Sequence, residues 1–290
     1  MVIDIHVHPA FFEPINNNEE IENLRHDELD IHKNGTAPLV HFFNKMKCAG
    51  IDRVCLLPED YNTSMNGKVL VSNREVKKLV DMAPDKFIGF ASCDPHDPKA
   101  VEKLEEAFTE LDLKGLKLHP SRQNFHPSDE MMNKIYDVCE KYNKPIIFHA
   151  GLSWEPRTTT KNCRPVDFEE LAAARPNLRF CLAHFAWPWV KEMAMLMLKY
   201  PNVYTDTGAL YFDSADEFYK QMFTVDIPMT WIDRSLRHQV MFGTNDPRFE
   251  MIRMSKAIEK LGFRESTIKL IKGDNVIEFL GMKKEDFEWW

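Results

Sequence analysis

Histidines at the ends of apolar segments are the first sign of chemistry in this chain. The sequence holds eleven histidines, and five of them close short aliphatic or aromatic runs: His6, His8, His119, His149 and His184. Imidazole binds zinc and other first-row divalent metals, and its unperturbed pKa of about 6.5 also suits it to proton transfer near neutral pH. These residues are therefore candidates for a metal site with an acid or base beside it.

The segment His6-Val7-His8 has the spacing of two ligands on one strand. Residues at i and i+2 of a strand point to the same face, so both imidazoles are prearranged for one ion. We expect Ile3, Ile5 and Val7 to point the other way, toward surrounding helices. Imidazoles combined with a carboxylate and an open position for water are typical of a catalytic metal site.

The carboxylate is expected after the last predicted strand, in the segment Gly243-Thr-Asn-Asp-Pro247. Asp246 is our candidate ligand, although an aspartate before a proline is also a common helix cap. Asp206 and Asp94 follow other predicted strands and are weaker candidates, which we interpret as cap or turn residues.

Lys117 and His119 share one face of the segment Gly115-Leu-Lys-Leu-His-Pro120. A lysine that points into a cavity needs an anion, and three interpretations stay open: contact with a substrate carboxylate, carbamylation into a metal ligand, or a structural ion pair. Arginine forks bind carboxylates in a bidentate manner. We take Lys117, His119 and Arg157 as candidate substrate contacts.

These residues require a fold that gathers the ends of distant strands. Short runs rich in β-branched and aromatic residues alternate with amphipathic stretches, which predicts parallel strands joined by helices. No GxGxxG turn or low-complexity linker is present, so a single (β/α)8 barrel over residues 1–290 is favoured over a doubly wound sheet. We expect the eight strands at Val2–His8, Arg53–Leu57, Phe87–Ser92, Gly115–His119, Pro145–His149, Leu178–His184, Val203–Asp206 and Gln239–Gly243.

Helices are expected between these strands, and two segments interrupt the alternation. Residues 10–35 form an inserted loop, interpreted as a lid or a solvated insertion, and residues 152–163 follow the fifth strand. The expected helices are Pro38–Ala49, Ser72–Met82, Pro98–Leu111, Ser128–Tyr142, Pro165–Ala174, Trp187–Leu198 and Phe249–Leu261.

Composition excludes several classes of partner. The 45 acidic and 37 basic side chains leave a net charge of −8, which offers no basic footprint for nucleic acid. Apolar runs stay far below the roughly 18 to 20 residues that a membrane crossing needs, and no signal peptide is apparent, so we expect a cytoplasmic protein. Scattered cysteines without a CxxC pair are expected to be reduced thiols. The aromatic end, Asp286–Trp290, is interpreted as a homodimer contact, a loose tail or intrachain packing.

Seven motifs in order resemble the amidohydrolase superfamily, in its amidohydrolase family 2 branch. That branch includes α-amino-β-carboxymuconate-semialdehyde decarboxylase and related aromatic-acid decarboxylases and hydratases. The resemblance covers nearly the whole chain and rests on Ile3-Asp-Ile-His-Val-His-Pro9, Gly115-Leu-Lys-Leu-His-Pro120, Pro145-Ile-Ile-Phe-His-Ala-Gly151, Leu182-Ala-His-Phe-Ala-Trp-Pro188, Asn202-Val-Tyr-Thr-Asp206, Met241-Phe-Gly-Thr244 and Gly273-Asp-Asn-Val-Ile-Glu-Phe-Leu-Gly281.

The resemblance implies a (β/α)8 barrel with one metal ion at its mouth. It implies that His6, His8 and His149 are ligands and that His184 is the acid or base. In the family the residue after Phe-Gly-Ser/Thr is usually the aspartate, whereas this chain has Asn245 there and Asp246 one place later. Either Asp246 fills the role through a local bulge, or Asn245 occupies the position and the metal is held weakly or not at all.

Three functions remain open. The first is a metal-dependent hydrolase that uses a metal-activated water on a small, carboxylated molecule, with His184 and Asp246 as catalytic residues. The ion is expected to be zinc, with manganese or iron as alternatives. The second is non-oxidative decarboxylation or hydration of a carboxylated aromatic or dienoate on the same metal. The third is a barrel without metal that binds a ligand or cleaves lactones, which Asn245 favours.

Overall fold

The computed structural model describes residues 1–16, 18–32, 35–153, 158–208 and 214–287. Its core is a ring of short parallel strands, with one antiparallel hairpin outside the ring. In these residues the strands are β1 (Ile3–Val7), β2 (Arg53–Leu56), β3 (Glu59–Tyr61), β4 (Lys68–Val71), β5 (Phe87–Gly89), β6 (Ala91–Ser92), β7 (Leu116–Leu118), β8 (Ile146–Phe148), β9 (Phe180–Leu182), β10 (Val203–Asp206) and β11 (Val240–Met241).

Helices surround the ring and connect its strands. Ser72 caps one of them in a reciprocal capping box with Glu75. The α-helices are α1 (Glu19–Leu29), α2 (Leu39–Ala49), α3 (Asn73–Met82), α4 (Ala100–Thr109), α5 (Asn133–Lys141), α6 (Glu169–Ala174), α7 (Val190–Lys199), α8 (Ala215–Lys220), α9 (Met251–Lys260), α10 (Glu265–Lys269) and α11 (Asn275–Leu280). No helix of the described segments is long and apolar enough to cross a membrane.

The strands form two sheets that hydrogen bonds join at both seams. One sheet has the order β1-β2-β5, and the other runs from β11 through β10, β9, β8 and β7 to β6. Strands β5 and β6 are two parts of one kinked strand, since Phe90 between them donates its N–H to Leu56 of β2 and Ala91 donates to Gly115 beside β7. At the other seam the Ile5 N–H donates to the Phe242 carbonyl at 2.9 Å. The fold is therefore the predicted α/β barrel.

Strand β1 carries one residue more than its neighbour β2. Asp4 pairs with Val54 and Val7 pairs with Leu56, so three steps along β1 match two steps along β2. An extra residue of this kind is a β-bulge, which bends a strand and redirects its side chains, often near a functional site. The bulge lies at the position of the two N-terminal histidines.

The bulge changes which side chains of β1 face the barrel interior. Ile3 and Ile5 pack in the same apolar cluster as Ile147. Ile147 lies two residues before His149, so both of these side chains point to the interior of the barrel. Val7 instead belongs to the cluster shared with the surrounding helices. The expectation that all three residues face the helices is wrong for Ile3 and Ile5, because the extra residue breaks the alternation along the strand.

The inserted segment after β1 is largely structured. Residues Glu19–Leu29 form helix α1, with Asn18 as its N-cap. Arg25 is almost fully buried and donates to the Leu70 and Ile15 carbonyls and to Glu75. Helix α1 thus replaces the inserted loop expected from the sequence. Its apolar positions are few, and a buried arginine supplies much of its attachment.

Candidate active site

The C-terminal ends of the barrel strands open onto one cavity, where the predicted strand-end histidines gather. His6 is buried directly beside this cavity. Residues far apart in sequence thus share one space, as a barrel mouth requires. The polar side chains that line the cavity are His8, Glu59, Lys117, His119, His149, His184, Asn245 and Arg248.

His6 and His8 turn their Nε2 atoms toward each other at a distance of 3.1 Å. In a tetrahedral zinc site with Zn–N distances of about 2.0–2.1 Å, two ligand nitrogens lie about 3.3 Å apart. The pair therefore has a spacing that fits two ligands of one ion.

Asp206, at the end of β10, holds His6 in a defined orientation. Its Oδ2 lies 2.8 Å from the His6 Nδ1, and its Oδ1 accepts the backbone N–H groups of His184 and Gly208, each at 2.9 Å. A carboxylate only accepts when ionised, so the Nδ1 of His6 carries the proton and its Nε2 keeps a lone pair toward His8. Asp206 thus does more than the cap or turn role we expected.

His184 is set by an unusual backbone segment after β9. His184, Phe185 and Ala186 all have positive φ, between 48° and 63°, a region that costs energy for residues with a side chain. The His184 Nδ1 lies 3.0 Å from the Gly208 carbonyl oxygen, which can only accept, so the proton sits on Nδ1. The Nε2 is left as a proton acceptor, which is what an active-site base needs.

The five histidines occupy one contiguous group of rings. The His6 and His184 ring centroids are 4.7 Å apart, those of His184 and His149 are 5.1 Å apart, and His149 stacks on His119 at 4.0 Å. Burial is the main cause that lowers the pKa of every one of them, and it brings the pKa of His8 to about 3. The rings are therefore neutral at pH 7, the form that binds metals and accepts protons.

Asp246, the expected carboxylate ligand, forms an ion pair with a lysine. Its Oδ2 lies 2.6 Å from the Lys45 Nζ, whereas Asn245 lines the cavity. Burial raises the pKa of Asp246, and the charge of Lys45 opposes that rise. Asn245 adopts a left-handed φ of 62°, so the chain turns between these two neighbours.

The donor atoms that come closest together include residues from three strand ends. Among the described residues, His6, His184 and Asp206 form the group of candidate metal donors whose atoms all lie within 4.8 Å of one another. His8, His149 and Asp246, three of the four expected ligands, are outside this group. The ligand set proposed from the sequence therefore stays a prediction, and the placement of Asp246 does not support its part in it.

Two charged side chains, Lys117 and Glu59, also line the cavity. Lys117 is 2% exposed, and its pKa is lowered by burial. Glu59, the first residue of β3, follows the end of β2 by three residues and is not among the predicted site residues. Its Oε1 lies 4.0 Å from the His8 Nδ1. Arg157, a predicted substrate contact, lies outside the described residues.

The end of the insertion covers part of the cavity. Leu29 and Ile31 line it, and two arginines of the barrel hold the chain on either side of them. The Arg122 Nη2 lies 2.8 Å from the Glu28 Oε2, and the Arg248 Nη2 donates to the Leu29 carbonyl at 2.7 Å. Access to the histidines is therefore narrowed by a segment that is tied down by hydrogen bonds.

Comparison with known proteins places this geometry in a family. The family model described as Amidohydrolase matches residues 3–281. The protein fluG of Emericella nidulans is 25% identical over 122 residues, which is 40% of this chain but only 14% of that protein. The chain thus corresponds to a small part of this curated relative.

Solved structures with the same fold cover almost the whole chain. An uncharacterised TIM-barrel protein from Bordetella bronchiseptica has a TM-score of 0.75 at 20% identity, covering 97% of this chain and 98% of its own. The structure of 5-carboxyvanillate decarboxylase from Sphingomonas paucimobilis has a TM-score of 0.66 at 14% identity, covering 97% of this chain and 99% of its own. The structure of 4-oxalomesaconate hydratase from Rhodopseudomonas palustris has a TM-score of 0.65 at 17% identity, covering 97% of this chain and 96% of its own. At these identities the similarity shows the shared barrel fold.

Proposed function

The chain belongs to the amidohydrolase family and is an enzyme of the amidohydrolase superfamily, and from this premise we propose that it is a metal-dependent hydrolase of a small carboxylated molecule. The observation that carries the proposal is the pair of Nε2 atoms of His6 and His8, which face each other at 3.1 Å beside three further neutral imidazoles. A neutral imidazole cluster of this kind has little structural use, since apolar side chains would fill the same space at lower cost.

We propose that His6, His8 and His149 hold the ion. Asn245, which lines the cavity, would supply the ligand from the end of the eighth barrel strand, while Lys45 engages Asp246. Zinc, manganese and iron all suit a set of imidazoles with one oxygen donor. A divalent ion bound there supplies a Lewis acid that activates water and polarises a substrate carbonyl.

The chain's own residues supply orientation and proton transfer. Asp206 keeps the His6 Nε2 unprotonated by accepting from Nδ1, so this nitrogen is always available. His184 Nε2 is an acceptor because Nδ1 donates to Gly208, and it can take a proton from water and return it to the leaving group. Leu29 and Ile31 narrow the entrance and limit the access of bulk water.

Decarboxylation or hydration is the second candidate. The barrel resembles those of a 5-carboxyvanillate decarboxylase and a 4-oxalomesaconate hydratase over 97% of the chain. The same His184 can take a proton from water or from a substrate hydroxyl and pass it to a ring carbon as carbon dioxide leaves, so its position does not discriminate between the reactions. The shape of the substrate decides between them.

The proposal is tested by metal analysis combined with a substrate panel. We expect about one divalent ion per chain after purification without chelator, loss of turnover on chelation, and recovery when zinc or manganese is restored. The panel contains lactones, esters and amides of small carboxylic acids, with carbon dioxide release from hydroxylated benzoic acids followed in parallel. Full turnover by protein stripped of metal would favour the third, metal-free function and contradict the proposal.

A further inference from the structure

Lys117 is a buried cation without a partner in the described part of the chain. It lies in the middle of β7, is 2% exposed and forms no hydrogen bond or ion pair with any described residue. Burying an ammonium group without a partner is costly, so such a residue is retained only where something else compensates. A negatively charged group of a ligand in the cavity that Lys117 lines would supply such compensation.

Glu59 presents the opposite charge to the same cavity, and it is also buried. It is 7% exposed, and within the described residues its Oε2 is buried and has no hydrogen-bond partner. Its Oε1 approaches the His8 Nδ1 only to 4.0 Å, which is beyond hydrogen-bond distance. One carboxylate oxygen is therefore available to a donor that enters the cavity.

The two charges influence each other but do not meet. Among the charged neighbours that raise the pKa of Lys117 against the effect of burial, Glu59 is the strongest, yet the two side chains form no ion pair within 4.0 Å. Elsewhere at this mouth opposite charges pair directly, as in Arg122 with Glu28 at 2.8 Å and Lys45 with Asp246 at 2.6 Å. The gap between Lys117 and Glu59 is therefore a specific feature of the cavity.

We propose that Glu59 and Lys117 together bind the substrate, which spans the gap with a hydroxyl or amino group donating to Glu59 and a carboxylate facing Lys117. The inference rests on the proposed function, because it concerns the same cavity. It restricts the substrate class from small carboxylates in general to carboxylates that carry a hydrogen-bond donor. Hydrogen bonds to a charged partner in a buried site are the strong ones, and a site built for a hydroxyl rejects the analogue that lacks it.

The test uses matched pairs of ligands that differ by one hydroxyl group. Malate is compared with succinate, and 2-hydroxybenzoate with benzoate, by calorimetric titration of metal-loaded protein. We expect the hydroxylated member of at least one pair to bind at least about tenfold more tightly. Glu59→Gln keeps the shape of the side chain and one acceptor oxygen but removes the charge, so it should reduce this preference while leaving the affinity for the plain carboxylate nearly unchanged.

Two further variants complete the experiment. Lys117→Met should weaken both members of the pair by at least about tenfold, because it removes the partner of the carboxylate. Glu105→Gln, on an exposed surface with Lys141 as its partner, removes the same charge as Glu59→Gln and should change neither affinity. A purely structural role for Glu59 would lower stability without altering the ratio of the two affinities.

The metal content of every sample separates this inference from the proposed function. Absence of metal in the wild-type protein would contradict the proposed function, whatever the ligand preference. The inference itself is overturned if metal-loaded protein binds no member of either pair, binds both members equally, or keeps its preference after Glu59→Gln.

Discussion

The two ends of the barrel interior differ in what they bury. The closed end, beneath which helix α11 packs, is apolar: the Tyr204 and Phe279 rings lie with their centroids 5.1 Å apart, among aliphatic neighbours such as Ile3 and Ile147. The open end buries four imidazoles, Asp206, Glu59 and Lys117, with the His8 ring partly exposed beside them. Each apolar side chain at the closed end contributes about 1.5–3 kcal/mol by leaving water, whereas each polar group at the open end must be compensated by a partner or a ligand.

The residues that stabilise the fold and the residues of the candidate active site therefore lie at opposite ends of the barrel. The same strands contribute to both ends, since Ile147 faces the apolar cluster and His149, two residues later, faces the cavity. Substitutions at the open end should therefore change function with little change in folding, and those at the closed end should do the reverse.

The largest effect is expected at the open end, from His184→Asn. This substitution removes the proton acceptor and should lower turnover by about 10⁴-fold. Turnover is measured on whichever substrate of the panel reacts, and metal content and the unfolding midpoint are measured on the same protein. Both should stay close to the wild type, and an unchanged turnover would remove His184 from the mechanism.

Phe279→Ala tests the closed end. Phe279 is fully buried, so truncation should lower the free energy of unfolding by about 3–5 kcal/mol, as measured by urea denaturation. Leu198→Ala, at a position 57% exposed, is the matched control and should change stability by less than about 0.5 kcal/mol. Metal content per folded chain should not change in either variant; a loss of metal in Phe279→Ala would break the separation of the two ends.

The neighbours Asn245 and Asp246 allow a second comparison within the open end, of their contributions to metal binding. Because Asn245 lines the cavity and Asp246 binds Lys45, we expect Asn245→Ala to weaken metal binding by about 100-fold or more and Asp246→Ala to weaken it much less. Competition with a chelator gives both dissociation constants, and His6→Ala is the reference for a lost ligand. The opposite order would return Asp246 to the role that the sequence suggested.

A smaller effect is expected from Asp206→Asn. The amide cannot replace the carboxylate that holds the His6 Nδ1 proton, so metal affinity should fall by about 10- to 100-fold. The same chelator competition measures it. Retained affinity with a large loss of turnover would instead place Asp206 in the orientation of His184, whose backbone N–H it also accepts.

The sequence predicted the barrel well because its signals are local. Helices α2 and α3 each begin and end within one residue of their expected limits. Helix α1 could not be predicted from its own segment, because its attachment to the barrel depends on Arg25, whose partners lie in other segments. The β-bulge in β1 was missed because the pairing register is set jointly by two strands.

By itself, the sequence determined the class of the fold and the five histidines at strand ends, since strand alternation and apolar runs are written in consecutive residues. Only the tertiary structure decided that Asp246 pairs with Lys45, that Asp206 orients His6, and that Glu59 and Lys117 face one cavity. These are contacts between distant segments. They depend on strand register and on the turns that follow each strand, which no single stretch of sequence specifies.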